Sequence, residues 1–92
     1  EGMADCFRAF GWNATVVDGT KMADIDKVLS ALPEVTLNGK PNAIICSTTK
    51  GQGVSFMMER PCAWHIGGFD DDKLEEAMKD IKAYTAERLA EV

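Results

Sequence analysis

The stretch from residue 42 to residue 65 constrains the fold more than any other part of the chain. It reads NAIICSTTKGQGVSFMMERPCAWH. It opens with a continuous apolar run, residues 43–46, which is typical of a strand covered on both faces of a sheet. The run stops at a polar segment in which Gly51 and Gly53 flank one residue, so that backbone can approach a ligand closely. Because open α/β sheets bind ligands outside the carboxyl ends of their strands, this segment is the predicted functional site.

The glycine spacing in this segment does not match the common phosphate-binding motifs. Walker A requires G-x-x-x-x-G-K-[ST], whereas Lys50 precedes its glycines, and a dinucleotide loop requires a third glycine that opens a helix. Taken alone, G-x-G after a strand indicates an ordinary tight turn, and Lys50 a solvated lysine within it.

Helical and strand-like patterns alternate along the first half of the chain. Helices and strands are predicted in turn, over residues 1–10, 13–17, 22–32 and 43–46. Gly11 is a natural cap for the first helix, and Asp18-Gly19 is a turn that ends the first strand. Pro33 is expected to end the second helix because it lacks an N–H. After it, Asn38-Gly39 favours a linker turn over a hairpin, since a helix precedes it.

A last helix is predicted after three consecutive acids, residues 70–72. Acids at a helix start interact favourably with its dipole, and Asp72 with Glu75 matches a capping box. The apolar face of this helix consists of Leu74, Ala77, Met78, Ile81, Tyr84 and Leu89. Its polar face, which includes Lys73 and Asp80, is expected to be a solvated face.

The predicted fold class is α/β, with element order α-β-α-β-α and two parallel strands. Such a sheet has two open edges, and continuous apolar strands need cover on both faces. Residues 1–92 are therefore expected to form a single partial domain, a piece of a larger three-layer fold.

Composition excludes several classes of function. Apolar residues make up 46% of the 92 residues and charged residues 27%, which is ordinary for a globular chain. The net charge of −5 argues against nucleic acid or an anionic membrane as a partner. No apolar run is long enough to span a membrane. Three irregularly spaced cysteines, of which Cys6 and Cys46 occupy apparent core positions, indicate reduced thiols in a cytoplasmic protein.

Three segments of the chain resemble one known family. They read FRAFGWNATVVDG (residues 7–19), GKPNAII (residues 39–45) and TTKGQGVSFMMERPCAWH (residues 48–65). In this order they resemble the transketolase family, specifically its N-terminal, thiamine diphosphate-binding half. The resemblance covers about the first three quarters of the chain. It departs at Ile66, where the family usually has glycine, and in a Phe-Met-Met-Glu segment one residue longer than usual.

This resemblance implies a C-terminal piece of the cofactor-binding domain or subunit of a transketolase. The family transfers a two-carbon ketol unit between sugar phosphates, using thiamine diphosphate with a divalent metal such as Mg or Ca. The implied partners are the remaining pyrimidine-binding domain or subunit, within a homo-oligomer. The family's glycine-aspartate-glycine metal motif and its activating glutamate are not among these residues, so the 92-residue chain alone is expected to be inactive.

Two other functions remain open at this point. Deoxyxylulose-phosphate synthase and keto-acid dehydrogenase components share the same fold. A free-standing, non-catalytic α/β module that binds a partner through its sheet edge would also fit the pattern.

The resemblance also assigns roles to individual residues. A lone histidine after a tryptophan is usually structural, but His65 matches the family's histidine beside the cofactor diphosphate and the reacting carbon, a catalytic and cofactor-binding position. Lys50 and Gly51 match the turn that lines the cofactor and substrate channel. Cys62 and His65 have the spacing of two metal ligands, but two ligands are half a zinc site, and no metal ligand is assigned.

Overall fold

The computed structural model describes residues 2–91, so the expectations for Glu1 and Val92 lie outside the described residues. The chain divides into two compact units, Glu1–Thr48 and Thr49–Val92. Among residues 2–91, no helix combines the length and apolar composition needed to cross a membrane.

The first unit contains a parallel strand pair with its connecting helix. In order, its elements are helix α1 (Gly2–Ala9), strand β1 (Asn13–Asp18), helix α2 (Met22–Val35), a 3₁₀ turn (Thr36–Asn38) and strand β2 (Asn42–Ser47). The strands pair in parallel, from Asn13 opposite Asn42 to Asp18 opposite Ser47. This confirms the predicted α/β fold class and the parallel strands.

Among the described residues of this unit, the buried side chains belong to α1 and β1. Ala4 of α1 is fully buried, and Val17 of β1 is 6% exposed. Strand β2 is less covered than its apolar sequence predicted. Its first four residues are half-buried, whereas Cys46 is exposed, as is Cys6. The expectation that these two cysteines occupy the core was wrong, because a two-stranded sheet leaves much of its surface open.

The end of α2 differs from the prediction that Pro33 terminates it. The helix continues through Pro33 to Val35. Proline in the last turn removes only one N–H, and the Thr36 hydroxyl donates to the carbonyl of Leu32 at 2.6 Å, which stabilises the helix end. Gly39 then adopts a left-handed φ of 75° in a linker turn, as predicted, and not in a hairpin.

The second unit contains two helices, α3 (Ser55–Glu59) and α4 (Asp71–Ala90). Helix α3 was not predicted. The unit is built on a small buried cluster of Val54, Phe56 and Ala77, against which Met57 and Trp64 pack. The apolar face predicted for α4 is therefore only partly used, since Ala77 alone of that face is buried.

The N-terminal cap of α4 is Asp70. Its backbone is extended, with φ −78° and ψ 178°, and its carboxylate accepts from the Lys73 N–H at 2.9 Å. The predicted capping box of Asp72 and Glu75 was wrong, because Asp72 already lies inside the first helical turn. The favourable placement of acids in that turn is confirmed.

Candidate functional site

The turn that carries Lys50 is built around two glycines with left-handed backbone. The Gln52 N–H donates to the Thr49 carbonyl at 3.1 Å, and the Val54 N–H to the Gly51 carbonyl at 3.0 Å. Gly51 has φ 82° and Gly53 has φ 95°, conformations that side-chain-bearing residues rarely adopt. The predicted tight turn is confirmed.

Helix α3 packs directly onto this turn. A Cβ atom added at Gly51 would lie 2.7 Å from the Cβ of Met57, and one added at Gly53 would lie 3.2 Å from the Tyr84 ring. Side chains at these positions would therefore push the turn away from α3 or α4. The glycines fix where the backbone of Lys50 lies.

The same helix positions His65 through the preceding residue. The rings of Phe56 and Trp64 meet edge to face, with centroids 5.0 Å apart, and Phe56 is only 8% exposed. The His65 N–H donates to the Cys62 carbonyl at 3.4 Å, in a turn at the end of the segment. Helix α3 thus supports the backbone on both sides of the predicted site.

The side chains of Lys50 and His65 meet in this structure. The Lys50 Nζ lies 2.6 Å from the His65 Nδ1, and the contact is exposed to solvent. The structure therefore brings together two residues that the sequence singled out, although they are 15 positions apart. An ammonium and an imidazole beside a glycine turn form a compact set of hydrogen-bond donors suited to an anion.

A second polar contact holds α3 in place. The Asp80 carboxylate accepts from the Ser55 hydroxyl at 2.6 Å and from the Ser55 N–H at 2.8 Å. The side-chain hydrogen bond, followed by the backbone one and the Lys79 charge, lowers the pKa of Asp80. The predicted solvated face of α4 thus also makes contacts within the chain, including one from Lys73, whose ammonium lies 4.6 Å from the Phe56 ring centroid.

Sequence reasoning missed these supporting residues. Ser55 and Asp80 are 25 positions apart, and although Ser55 lies within the segment of residues 48–65, nothing in the sequence pairs it with Asp80. The available signal was the apolar residues Val54, Phe56 and Met57, which indicate a small buried cluster but not the residue that pairs with Ser55.

Two further features bear on the site. Ile66, which stands where the family usually has glycine, is 84% exposed, and the left-handed φ of 115° occurs one position later, at Gly67. Ile66 therefore does not pull His65 away from Lys50. Within the described part of the chain, no three His, Cys, Asp or Glu side chains converge as a metal site would require.

Comparisons with curated proteins return relatives that share one family name. The chain is 37% identical over 81 residues to an apulose-4-phosphate transketolase subunit from Phocaeicola vulgatus, and the match covers 88% of this chain and 28% of the relative. It is 37% identical over 76 residues to the protein of the same name from Actinobacillus succinogenes, covering 83% and 26%. Rat transketolase is 30% identical over 73 residues, covering 79% of this chain and 11% of that protein.

The chain thus spans little more than a quarter of the apulose-4-phosphate transketolase subunits and about a tenth of rat transketolase. No family model matches it, and no solved structure matches it significantly. The relatives cover most of this chain, and the parallel α/β fold is compatible with part of a transketolase. These matches support the assignment of this chain to part of a transketolase-family protein.

Proposed function

We propose that the chain is the C-terminal part of the thiamine diphosphate-binding domain of a transketolase. The whole enzyme would transfer a two-carbon ketol unit from a ketose phosphate to an aldose phosphate. The observation that carries this proposal is the contact between Lys50 and His65, next to the glycine turn. The names of the relatives support a transketolase over a deoxyxylulose-phosphate synthase.

The residues present fit the diphosphate of the cofactor. Thiamine diphosphate, when bound, supplies the nucleophilic carbon and the electron sink for the transferred unit. Lys50 would offset diphosphate or sugar-phosphate charge, and Gly51 would let the anion approach the backbone closely. His65 would donate a hydrogen bond to an oxygen on which charge develops. The divalent metal, Mg or Ca, would take its ligands from outside this set of residues.

The proposed enzyme also needs parts beyond this chain. Two of the relatives are named as single subunits of a transketolase, which supports a further polypeptide or domain that supplies the pyrimidine pocket. We place the assembled protein in the cytoplasm as a homo-oligomer acting on sugar phosphates. The uncovered edges of the two-stranded sheet support further contacts with the remainder of the enzyme.

Steady-state kinetics of the whole enzyme test the role of His65. His65→Ala should lower kcat on the order of a hundredfold, because one hydrogen bond to developing charge is lost. His65→Gln and His65→Asn, which keep a neutral donor, should recover part of that loss. If His65→Ala turns over like wild type while its stability falls, the histidine is a packing residue. A parent protein that binds a protein partner but transfers no ketol unit would favour the non-catalytic module.

Lys50→Ala should produce a different kinetic change in the same assay. A fixed charge stabilises bound substrate and transition state alike, so its loss should raise KM or the thiamine diphosphate requirement. Lys82→Ala is the matched control, since Lys82 is an exposed lysine of α4. Equal effects of both lysine variants would contradict a specific role for Lys50.

A further inference from the structure

The short contact between Lys50 and His65 constrains where the imidazole carries its proton. A lysine ammonium has three N–H donors and no acceptor. At 2.6 Å from Lys50 Nζ, the Nδ1 atom of His65 can accept one of these donors only through its lone pair. A neutral ring whose Nδ1 is an acceptor has its proton on Nε2. A doubly protonated ring would instead place two donors and two positive charges against each other.

We propose that Lys50 is a positioning residue for His65, which it holds as the neutral tautomer protonated on Nε2. The remaining N–H of the ring is then a hydrogen-bond donor at the far side of the imidazole from Lys50. The catalytic part of this inference rests on the proposed function, whereas the tautomer itself does not. Lys50 would thus act on the chemistry through His65, in addition to offsetting phosphate charge with its own ammonium.

The local architecture is suited to such a role. The Lys50 turn is fixed by the close approach of Gly51 to Met57, and His65 follows Trp64, which packs on Phe56. Both anchors belong to α3, so one short helix sets the separation between the two backbones. Two exposed side chains can then meet in a defined orientation without being buried.

Fixing the tautomer has a direct chemical consequence. Neutral imidazole has one donor nitrogen and one acceptor nitrogen, and the bond to either one determines the role of the other. With Nδ1 occupied by Lys50, Nε2–H is available to donate to an oxygen that gains negative charge. Two N–H groups of the Lys50 ammonium remain for a phosphate.

Nitrogen NMR of the 92-residue chain, labelled with ¹⁵N-histidine at about pH 8, tests the tautomer directly. The chain has one histidine, so both ring nitrogens are assigned without ambiguity. Wild type should show a single tautomer protonated on Nε2. Lys50→Met should shift the Nδ1 resonance and raise the fraction protonated on Nδ1, whereas Lys50→Arg, which keeps a cationic donor, should restore the wild-type pattern.

Lys82→Met is the control, because it removes another exposed lysine of the same unit. It should leave both ring nitrogens unchanged. A wild-type ring protonated on Nδ1, or Lys50→Met spectra identical to wild type, would overturn the proposal. Circular dichroism of each variant separates a change at the ring from a loss of fold.

A double-mutant cycle in the whole enzyme tests the catalytic consequence. Lys50→Met should lower kcat by less than the roughly hundredfold loss expected for His65→Ala. In the His65→Ala background, the same change should leave kcat unaltered and still raise KM through the lost charge. An equal kcat loss in both backgrounds would overturn the positioning role. Since the NMR test needs no activity, a failure of the proposed function would be recognised separately.

Discussion

At the scale of single residues, Gly19 shows how the absence of a side chain sets the approach of two segments. It follows β1, and its N–H donates to the Ser47 carbonyl at 2.9 Å. A Cβ atom added there would lie 2.7 Å from the Cβ of Cys46 and 2.8 Å from the Cγ2 of Thr48. The carboxyl ends of the two strands can therefore lie this close only because residue 19 is glycine.

Gly19→Ala should destabilise the chain by about 1–3 kcal/mol, the usual cost of forcing an extra methyl group into packed structure. Chemical denaturation of wild type and variant measures the difference in the free energy of unfolding. Gly68→Ala is a matched control, since a Cβ atom there meets nothing within 4 Å. Equal stability of the two variants would mean that the strand ends separate without cost.

The sequence predicts the role of a residue only where a local motif or turn pattern contains it. The segments that resemble the family identify Lys50 and His65 as site residues. They do not predict that the two side chains contact each other. Their separation of 2.6 Å depends on α3, whose five residues are too few to show a helical repeat. Asp18-Gly19 was predicted as a turn, and the Asp18 carboxylate indeed accepts from the Thr20 N–H at 2.9 Å.

At the scale of elements, the start of α3 is held to α4 by the bonds between Ser55 and Asp80. These bonds lower the pKa of Asp80 from its ordinary value of 3.8. A carboxyl group with a lower pKa in the folded protein than in the unfolded chain stabilises the fold when ionised. This contribution is present above pH 3.8 and is lost as the pH falls through the lower folded value.

Asp80→Asn should therefore reduce stability at neutral pH and flatten the loss of stability in acid. Thermal unfolding at a series of pH values from neutral to strongly acidic follows both effects. Glu87→Gln is the control, because Glu87 is an exposed acid of the same helix. Parallel stability curves for Asp80→Asn and wild type would show that the Ser55 bonds contribute nothing to folding.

Helix and strand interiors were more predictable than their ends. The periodicity that predicted α2 and α4 extends over many residues, whereas each end depends on one or two bonds. Pro33 lies inside the last turn of α2, which ends where the Thr36 hydroxyl donates to the Leu32 carbonyl. Asp70 caps α4 because its backbone alone among the three acids is extended, which the sequence does not show.

At the scale of the whole molecule, the least predictable property was which apolar residues are buried by other parts of the chain. Phe10 and Leu37 are 84% and 85% exposed, although their types favour burial. Apolar spacing predicts that a residue faces a partner, but not whether that partner belongs to the same 92 residues. In the proposed enzyme, the remaining parts would cover these apolar surfaces.

The proposal that the cofactor site is shared with other parts of an enzyme predicts weak cofactor binding by the 92-residue chain alone. Lys50 and His65 supply donors for a diphosphate, but the proposed pyrimidine pocket and metal ligands lie in the rest of the enzyme. Calorimetry with thiamine diphosphate and Mg²⁺ should therefore detect weak binding or none. A submicromolar Kd would contradict the view that this chain is one part of a shared site.

The open sheet predicts that the separated chain associates with itself. Strands β1 and β2 pair only with each other among the described residues, so each has a second edge free to pair. Sedimentation velocity at several concentrations should show a rising average mass. Thr15→Lys places a charge at an exposed position of β1 and should weaken association. Ser30→Lys places the same charge at an exposed position of α2 and should leave association unchanged. If wild type stays monomeric at high concentration, or both lysine variants act alike, the strand edges are not the surface of contact.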